Sequence, residues 1–293
     1  MENDTAGLNL WFREVCNGYQ TMGFKIEETL FSGQSEYQKI DVVRTAGHGV
    51  MLINDGFVML SERDEFVYHE MIAHVPLFSH PAPKRVLVIG GGDGGTVREV
   101  LRHQTVEKVV MVEIDPMVVA VCRKYLPGLT VALDDPRLSV KIADGVRYVK
   151  ETDEKFDVVI VDSTDPIGPA TPLFNEDFYR DVSNILDDNG ILVTQAESPF
   201  YDRQIQAAML GNQRPFFDRL HLYLLTNLTY PGGLWSFGFA AKSLNPLAGF
   251  DGDRVRAADL SMRYYNAGIH RAAFMLPTFL QENLKKIVDP VRW

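Results

Sequence analysis

The chain has 293 residues, 46% of them hydrophobic, enough to bury a sizeable core as one large domain or two smaller ones. A formal net charge of -10 disfavours nonspecific nucleic-acid binding and favours cationic small molecules as partners. Cys16 and Cys122 make neither a disulfide framework nor a metal spacing, and the polar start of the chain carries no apolar signal core, so a reducing, cytoplasmic setting without membrane attachment is expected.

Residues 1–9 read as a loose terminus, and Trp11-Phe12 as an anchoring aromatic plug. Alternation over residues 23–31 and 37–45 predicts strands. Residues 50–53 and 57–60, joined by Asn54-Asp55-Gly56, predict a hairpin. Residues 1–65 therefore read as a small antiparallel β domain and 66–293 as a second domain. Ser61 and Asp64 form an imperfect capping box, with Asp in place of Glu, before a helix carrying Tyr68, His69, Glu70 and His74. That helix is expected to stop near Pro76. His69 and His74 lie five residues apart, about 140° around a helix. A zinc-protease pair lies four apart on one face, so no metal is expected.

Val86-Leu87-Val88-Ile89 reads as a buried parallel strand, followed at once by Gly90-Gly91-Gly92-Asp93-Gly94-Gly95 and a helix over residues 96–103. The next strand, from Val109, ends in Glu113, about 20 residues past the loop, where an acid can take ribose hydroxyls. This is a nucleoside-binding βαβ unit. Gly90, Gly92 and Gly95 satisfy the dinucleotide pattern, but the Asp93 carboxylate would repel a pyrophosphate. It suits a cationic nucleoside such as an adenosyl sulfonium.

Helix and strand then alternate. Helices are expected over 116–125, 174–186 and 203–211, and strands over 138–142, 156–161 and 190–194. Residues 221–226 and 234–241 read as a closing pair of strands around Tyr230-Pro231-Gly232-Gly233. The pattern predicts an α/β fold with a doubly wound parallel sheet. Asp93, Glu113, Asp144 and Asp162 all follow strands, so they share the carboxyl rim where such sheets bind ligands. Asp162-Ser163-Thr164-Asp165-Pro166 adds a further acid. Such a cluster repels itself unless a cation sits in it, either an amine or a metal. Magnesium would bring a phosphate ligand, which Asp93 disfavours.

Taken together, Trp11-Phe12-Arg13-Glu14, Tyr37-Gln38, residues 62–71, the glycine loop, Glu113-Ile114-Asp115, Asp144-Gly145, residues 162–169, Thr229-Tyr230-Pro231-Gly232-Gly233, Tyr264-Tyr265-Asn266 and His270-Arg271-Ala272-Ala273-Phe274 closely resemble the polyamine aminopropyltransferases. The resemblance implies a methyltransferase-like sheet with a small N-terminal antiparallel β domain. It implies transfer of an aminopropyl group from decarboxylated S-adenosylmethionine, a co-substrate rather than a cofactor, to putrescine. Carried over, Glu113 holds the ribose, Asp144 and Gly145 lie at the adenine, and Gln38 and Pro169 line the nucleoside pocket. Asp93 contacts the aminopropyl amine and Asp162 accepts the proton. Tyr68, His69, Asp165 and Tyr230 surround the acceptor. Family likeness also implies a homodimer or homotetramer through the N-terminal region. Leu228, where many members have Pro, and Trp235 leave the acceptor open among putrescine, cadaverine, agmatine and spermidine. A small-amine methyltransferase and a noncatalytic polyamine-binding protein are the competing readings.

Overall fold

Trp11–Cys16 (β1), Gln20–Gln34 (β2), Lys39–Thr45 (β3), Gly49–Asn54 (β4) and Phe57–Ser61 (β5) form an antiparallel meander in chain order. The computed structural model describes residues 9–166 and 168–291. It divides into two compact units, Met1–Glu65 and Phe66–Trp293. In the first unit, Phe24, Val43, Met51, Ile53 and Val58 form the buried cluster, with Phe12 against it. Trp11 is 50% exposed, so of the two aromatics expected to plug this unit only Phe12 does so. Asp55 and Gly56 both take positive φ, at 50° and 86°, the backbone that a tight hairpin turn requires.

Glu65–Ser79 (α1) carries the chain into the second unit, which begins at Phe66. That unit's seven-stranded sheet contains Arg85–Gly90 (β6), Lys108–Glu113 (β7), Leu138–Ile142 (β8), Phe156–Asp162 (β9), Leu186–Gln195 (β10), Arg219–Thr226 (β11) and Leu234–Ala241 (β12). The spatial order is β11-β12-β10-β9-β6-β7-β8. Strands β6 to β10 are parallel, and β12 runs antiparallel to both of its neighbours. Gly95–Leu101 (α2), Pro116–Tyr125 (α3), Gly145–Glu151 (α4), Glu176–Ile185 (α5) and Arg203–Gln213 (α6) alternate with the strands.

Period-two alternation splits the strand side chains between two cores. Val86, Val88, Val109, Met111, Val158 and Ile160 face one. Leu87, Ile89, Val110, Val112, Val159 and Val161 face the other. Because both faces are covered, these strands read as continuous apolar runs. Connectivity reverses between β6 and β9, which makes their carboxyl ends the switch point where such sheets take ligands.

Several boundaries differ from the sequence expectation. Helix α1 does not stop near Pro76 but runs through it to Ser79. Proline removes only its own N–H, and Leu77 and Phe78 just beyond are buried, so packing carries the helix past the break. Ser61 ends β5, and its hydroxyl donates to the Asp64 carboxylate at 2.6 Å. The expected capping box is therefore a side-chain pair. Beyond Ala241 lie Gly252–Ala258 (α7), Ala267–Ala273 (α8) and Thr278–Leu284 (α9), none of them anticipated. The Glu70 carboxylate ties this tail to α1 by accepting the N–H groups of Arg263, Tyr264 and Tyr265, each at 2.8 Å.

Candidate active site

The glycine loop is where β6 and β9 meet. At Gly90 (φ 80°) a Cβ would lie 2.1 Å from the Asp162 carbonyl oxygen, and the Gly91 N–H donates to that oxygen at 2.9 Å. The two strand ends can close this tightly only on glycine. At Gly92 a Cβ would fall 2.8 Å from Glu113 Oε2. The bare amide instead donates to that oxygen (3.1 Å), while the Asp115 N–H donates to Oε1 (2.8 Å). Burial outweighs these bonds and pushes the Glu113 carboxyl up to about 7.

Asp93 is pinned at the tip of the loop. Its Oδ1 accepts the Gly95 N–H at 2.7 Å and lies 3.3 Å from His69 Nε2. Burial opposes its charge, but His69 and the Gly95 amide together hold the carboxyl below the usual range. The His69 ring rests on Gly95, where a Cβ would come within 2.3 Å of it.

Asp162 closes the cluster. Its Oδ2 accepts the Thr96 hydroxyl at 2.6 Å, and it also takes a hydrogen bond from Tyr68. Burial, then the charge of Asp93, push the Asp162 carboxyl up to about 6. Burial and Asp162 push the Tyr68 phenol up as well, which keeps it a neutral donor. Tyr68 stands edge-on to Tyr230 (5.9 Å between ring centroids) and to Phe237 (4.9 Å), and Trp235 packs on Tyr230 at 4.8 Å. One ligand atom each from His69, Asp93 and Asp162 lies within 4.8 Å of the others. That composition suits a cation, and an ammonium satisfies it by donating hydrogen bonds.

A second pair of acids sits at the ends of β9 and β10. Asp165 shares a hydrogen bond with Glu197, whose carboxyl is pushed well up by burial and then by the charge of Asp165. Glu197 is buried, takes a positive φ of 62°, and accepts the Gln195 amide at 2.8 Å. Sequence reading missed it, although an acid two residues past a strand on the same rim was the available signal.

The remaining expected residues are placed less tightly. Asp144 is exposed and caps α4, accepting the N–H groups of Val146 (2.8 Å) and Arg147 (3.4 Å). It follows Ala143, whose N–H bonds the Glu113 carbonyl at 3.0 Å, so it stands beside the end of β7. Gly145 lets α4 press on Ile89. Pro169 is exposed in the short helical turn Gly168–Phe174. Gln38 belongs to the first unit, where its carbonyl oxygen accepts from Ser35. His74 is not part of the cluster. It bonds His103 (2.8 Å) and Glu99 (3.1 Å) in the buried core.

Residues 10–62 match the spermidine synthase tetramerisation domain, and residues 65–249 match the spermine/spermidine synthase domain. The polyamine aminopropyltransferase of Caldicellulosiruptor bescii is 46% identical over 280 residues, which cover 96% of this chain and 100% of that protein. That of Clostridium kluyveri is 44% identical, over 94% and 99%. A crystal structure of a spermidine synthase with the transition-state analogue AdoDATO superimposes with a TM-score of 0.94 at 41% identity, covering 98% of both chains. The spermidine synthase of Thermotoga maritima gives 0.90 at 40%, covering 97% of both. Fold and sequence agree along nearly the whole chain, and it belongs to the spermine/spermidine synthase family.

Proposed function

We propose that this polyamine aminopropyltransferase moves the aminopropyl group of decarboxylated S-adenosylmethionine to putrescine, giving spermidine and methylthioadenosine. The observation that carries the reading is the pair of separate anionic stations, Asp93 with Asp162 and Asp165 with Glu197. The donor sulfonium already carries its leaving group. The acceptor is the obstacle, because an alkylamine with a pKa near 10.4 costs about 4 to 5 kcal/mol to deprotonate at pH 7. Asp162 takes that proton and Tyr68 orients the freed amine. Nitrogen attacks the carbon next to sulfur, the C–S bond breaks, and its electron pair leaves on sulfur. Positioning supplies the rest. Asp93 binds the amine of the aminopropyl group, Glu113 the ribose hydroxyls, and Asp144, Gly145 and Pro169 surround the adenine. His69 braces Asp93, and Tyr230 walls the acceptor. The enzyme works as a cytoplasmic homo-oligomer assembled through the first unit. Exposed Trp11, Val15 and Tyr19 and the match to a tetramerisation domain support that assembly.

Product analysis with decarboxylated S-adenosylmethionine and a panel of amines tests the reading. Spermidine from putrescine is expected as the main product, with propylamine a poor acceptor because it leaves the second station empty. In Asp165→Asn, which removes the charge of the second station, the preference for the diamine is expected to fall about tenfold or more, on the scale of one charged hydrogen bond. Equal use of propylamine and putrescine by the wild type would refute the two-station reading.

Glu113 gives an independent test of the donor pocket. Glu113→Gln is expected to weaken methylthioadenosine binding by about 1.5 to 3 kcal/mol. The ribose hydroxyls donate to the ionised carboxylate, and the free carboxyl titrates at about 7. Wild-type affinity should therefore fall as pH drops below 7, by up to about tenfold per unit, and the variant should be flat. Calorimetric titration between pH 5.5 and 8.5 reads both effects; a flat wild-type profile with an unimpaired variant removes Glu113 from the ribose.

A further inference from the structure

We infer that Thr96 is a positioning residue for the reaction, holding Oδ2 of Asp162 against the glycine loop so that Oδ1 is the oxygen that receives the acceptor's proton. The inference rests on reading Asp162 as the proton acceptor. Three observations carry it. Thr96 is fully buried on the first turn of α2, where its hydroxyl has no solvent to compete for it. Its Oγ1 donates to Asp162 Oδ2 at 2.6 Å, across a sequence separation of 66 residues. Gly91 approaches the same oxygen, since a Cβ there would lie 3.2 Å from it.

The neighbouring residue gives the bond its lever. Gly95 lies directly under the His69 ring, and its N–H fixes Asp93. One turn of α2 therefore sets both carboxylates of the cluster, Asp93 through a backbone amide and Asp162 through a hydroxyl. The groups that face Asp162 are Tyr68 and His69 from α1 and Asp93 from the loop. Asp93 resists the charge on Asp162, whereas Tyr68, His69 and Thr96 favour it. The Thr96 hydroxyl does not titrate, so it lowers the proton affinity of Asp162 without a charge of its own. A base that binds its proton too tightly stays protonated near neutral pH and cannot accept another.

The test compares the wild type, Thr96→Val and Thr96→Ser. Valine keeps the branched shape and the volume; serine keeps the hydroxyl. Two readouts are taken. The first is the Asp162 carboxyl titration, followed by carbon-13 NMR on aspartate-labelled protein and identified by its absence from Asp162→Asn. The second is kcat/KM for putrescine against pH. In Thr96→Val the NMR titration and the acid limb should both move up by about half to one pH unit, as expected for loss of a hydrogen bond to the charged form, and kcat at pH 7 should fall about three- to tenfold, mostly because the carboxylate loses its orientation. Serine should restore both. Methylthioadenosine affinity, held by Glu113, should stay at the wild-type value and so report intact folding. An unmoved NMR titration in Thr96→Val, or equal loss in the valine and serine variants, overturns the inference. A titration that moves while the acid limb stays put supports the Thr96–Asp162 coupling and instead removes Asp162 as the base.

Discussion

Asp162→Asn is expected to lower turnover with putrescine by about 10²- to 10⁴-fold at neutral pH, the range of general-base work. The substitution keeps the shape of the side chain, so the loss reports the charge and the proton. The defect should shrink as pH rises, because more acceptor then arrives as free amine. In the wild type the acid limb of kcat/KM should lie near pH 6, where the carboxyl of the free enzyme titrates; below it Asp162 is protonated and activity falls. Loss of fold does not explain the expected defect. A carboxyl whose folded-state pKa stands above its ordinary value costs stability when it ionises, and that cost is present above pH 6 and fades as pH falls toward 4. Asparagine removes the cost while giving up hydrogen bonds to Thr96 and Tyr68, so thermal stability at pH 8 should stay close to wild type. Asp165→Asn should act differently, raising KM for putrescine more than it lowers kcat, because Asp165 is proposed to anchor the far ammonium. Near-normal turnover in Asp162→Asn together with abolished turnover in Asp165→Asn would reverse the two roles.

What the sequence made legible here follows from where burial writes a pattern. Strands β6, β7 and β9 are covered on both faces, so Val86-Leu87-Val88-Ile89 and its partners stand out as apolar runs. Acids immediately after them had to fall on one rim, and Asp93, Glu113 and Asp162 do. Glu197 escaped because β10 was expected to end at Thr194, and a left-handed turn then aims the acid back at Asp165. Thr96 escaped for another reason: a threonine beginning a helix has no periodicity that points to a partner 66 residues away. The tail from α7 to α9 consists of seven-residue helices, too short for a 3.6-residue repeat to emerge. Part of the family-like sequence also proves to be bracing rather than chemistry. The Tyr264-Tyr265-Asn266 stretch meets Glu70 through backbone amides, and His270 bonds the Tyr265 hydroxyl (2.7 Å) while stacking on Phe250 (3.7 Å). His69 and His74 share a helix yet serve different groups, one at Asp93 and the other at Glu99. That separation is what five-residue spacing on a helix dictates.

Decarboxylated S-adenosylmethionine is expected to bind about 10²- to 10³-fold more tightly than S-adenosylmethionine, and Asp93→Asn is expected to narrow that gap to about tenfold or less. The two donors differ by one carboxylate, carried next to the amine that Asp93 is proposed to hold. Two like charges about 4 Å apart in partly buried surroundings repel by about 4 kcal/mol at an effective dielectric constant near 20, which is the origin of the expected gap. Relief by movement is closed off. Asp93 is fixed by the Gly95 amide and lies beside His69, and the positive φ of Gly94 (88°) commits the loop backbone. Relief by protonation is closed off too, because His69 and the Gly95 amide hold the Asp93 carboxyl below its usual range, so it stays charged throughout the working pH range. Asp162 adds a second negative charge on the same side. In Asp93→Asn the gap should close mainly from one direction: the decarboxylated donor loses its ion pair and weakens, while S-adenosylmethionine gains modestly, since Asp162 still repels it. A methyltransferase built on this sheet would need the opposite arrangement, a donor-side group that welcomes the methionine carboxylate. Calorimetric titration of both donors into wild type and variant decides the matter. Equal wild-type affinities would remove Asp93 as the selector and reopen the methyltransferase reading.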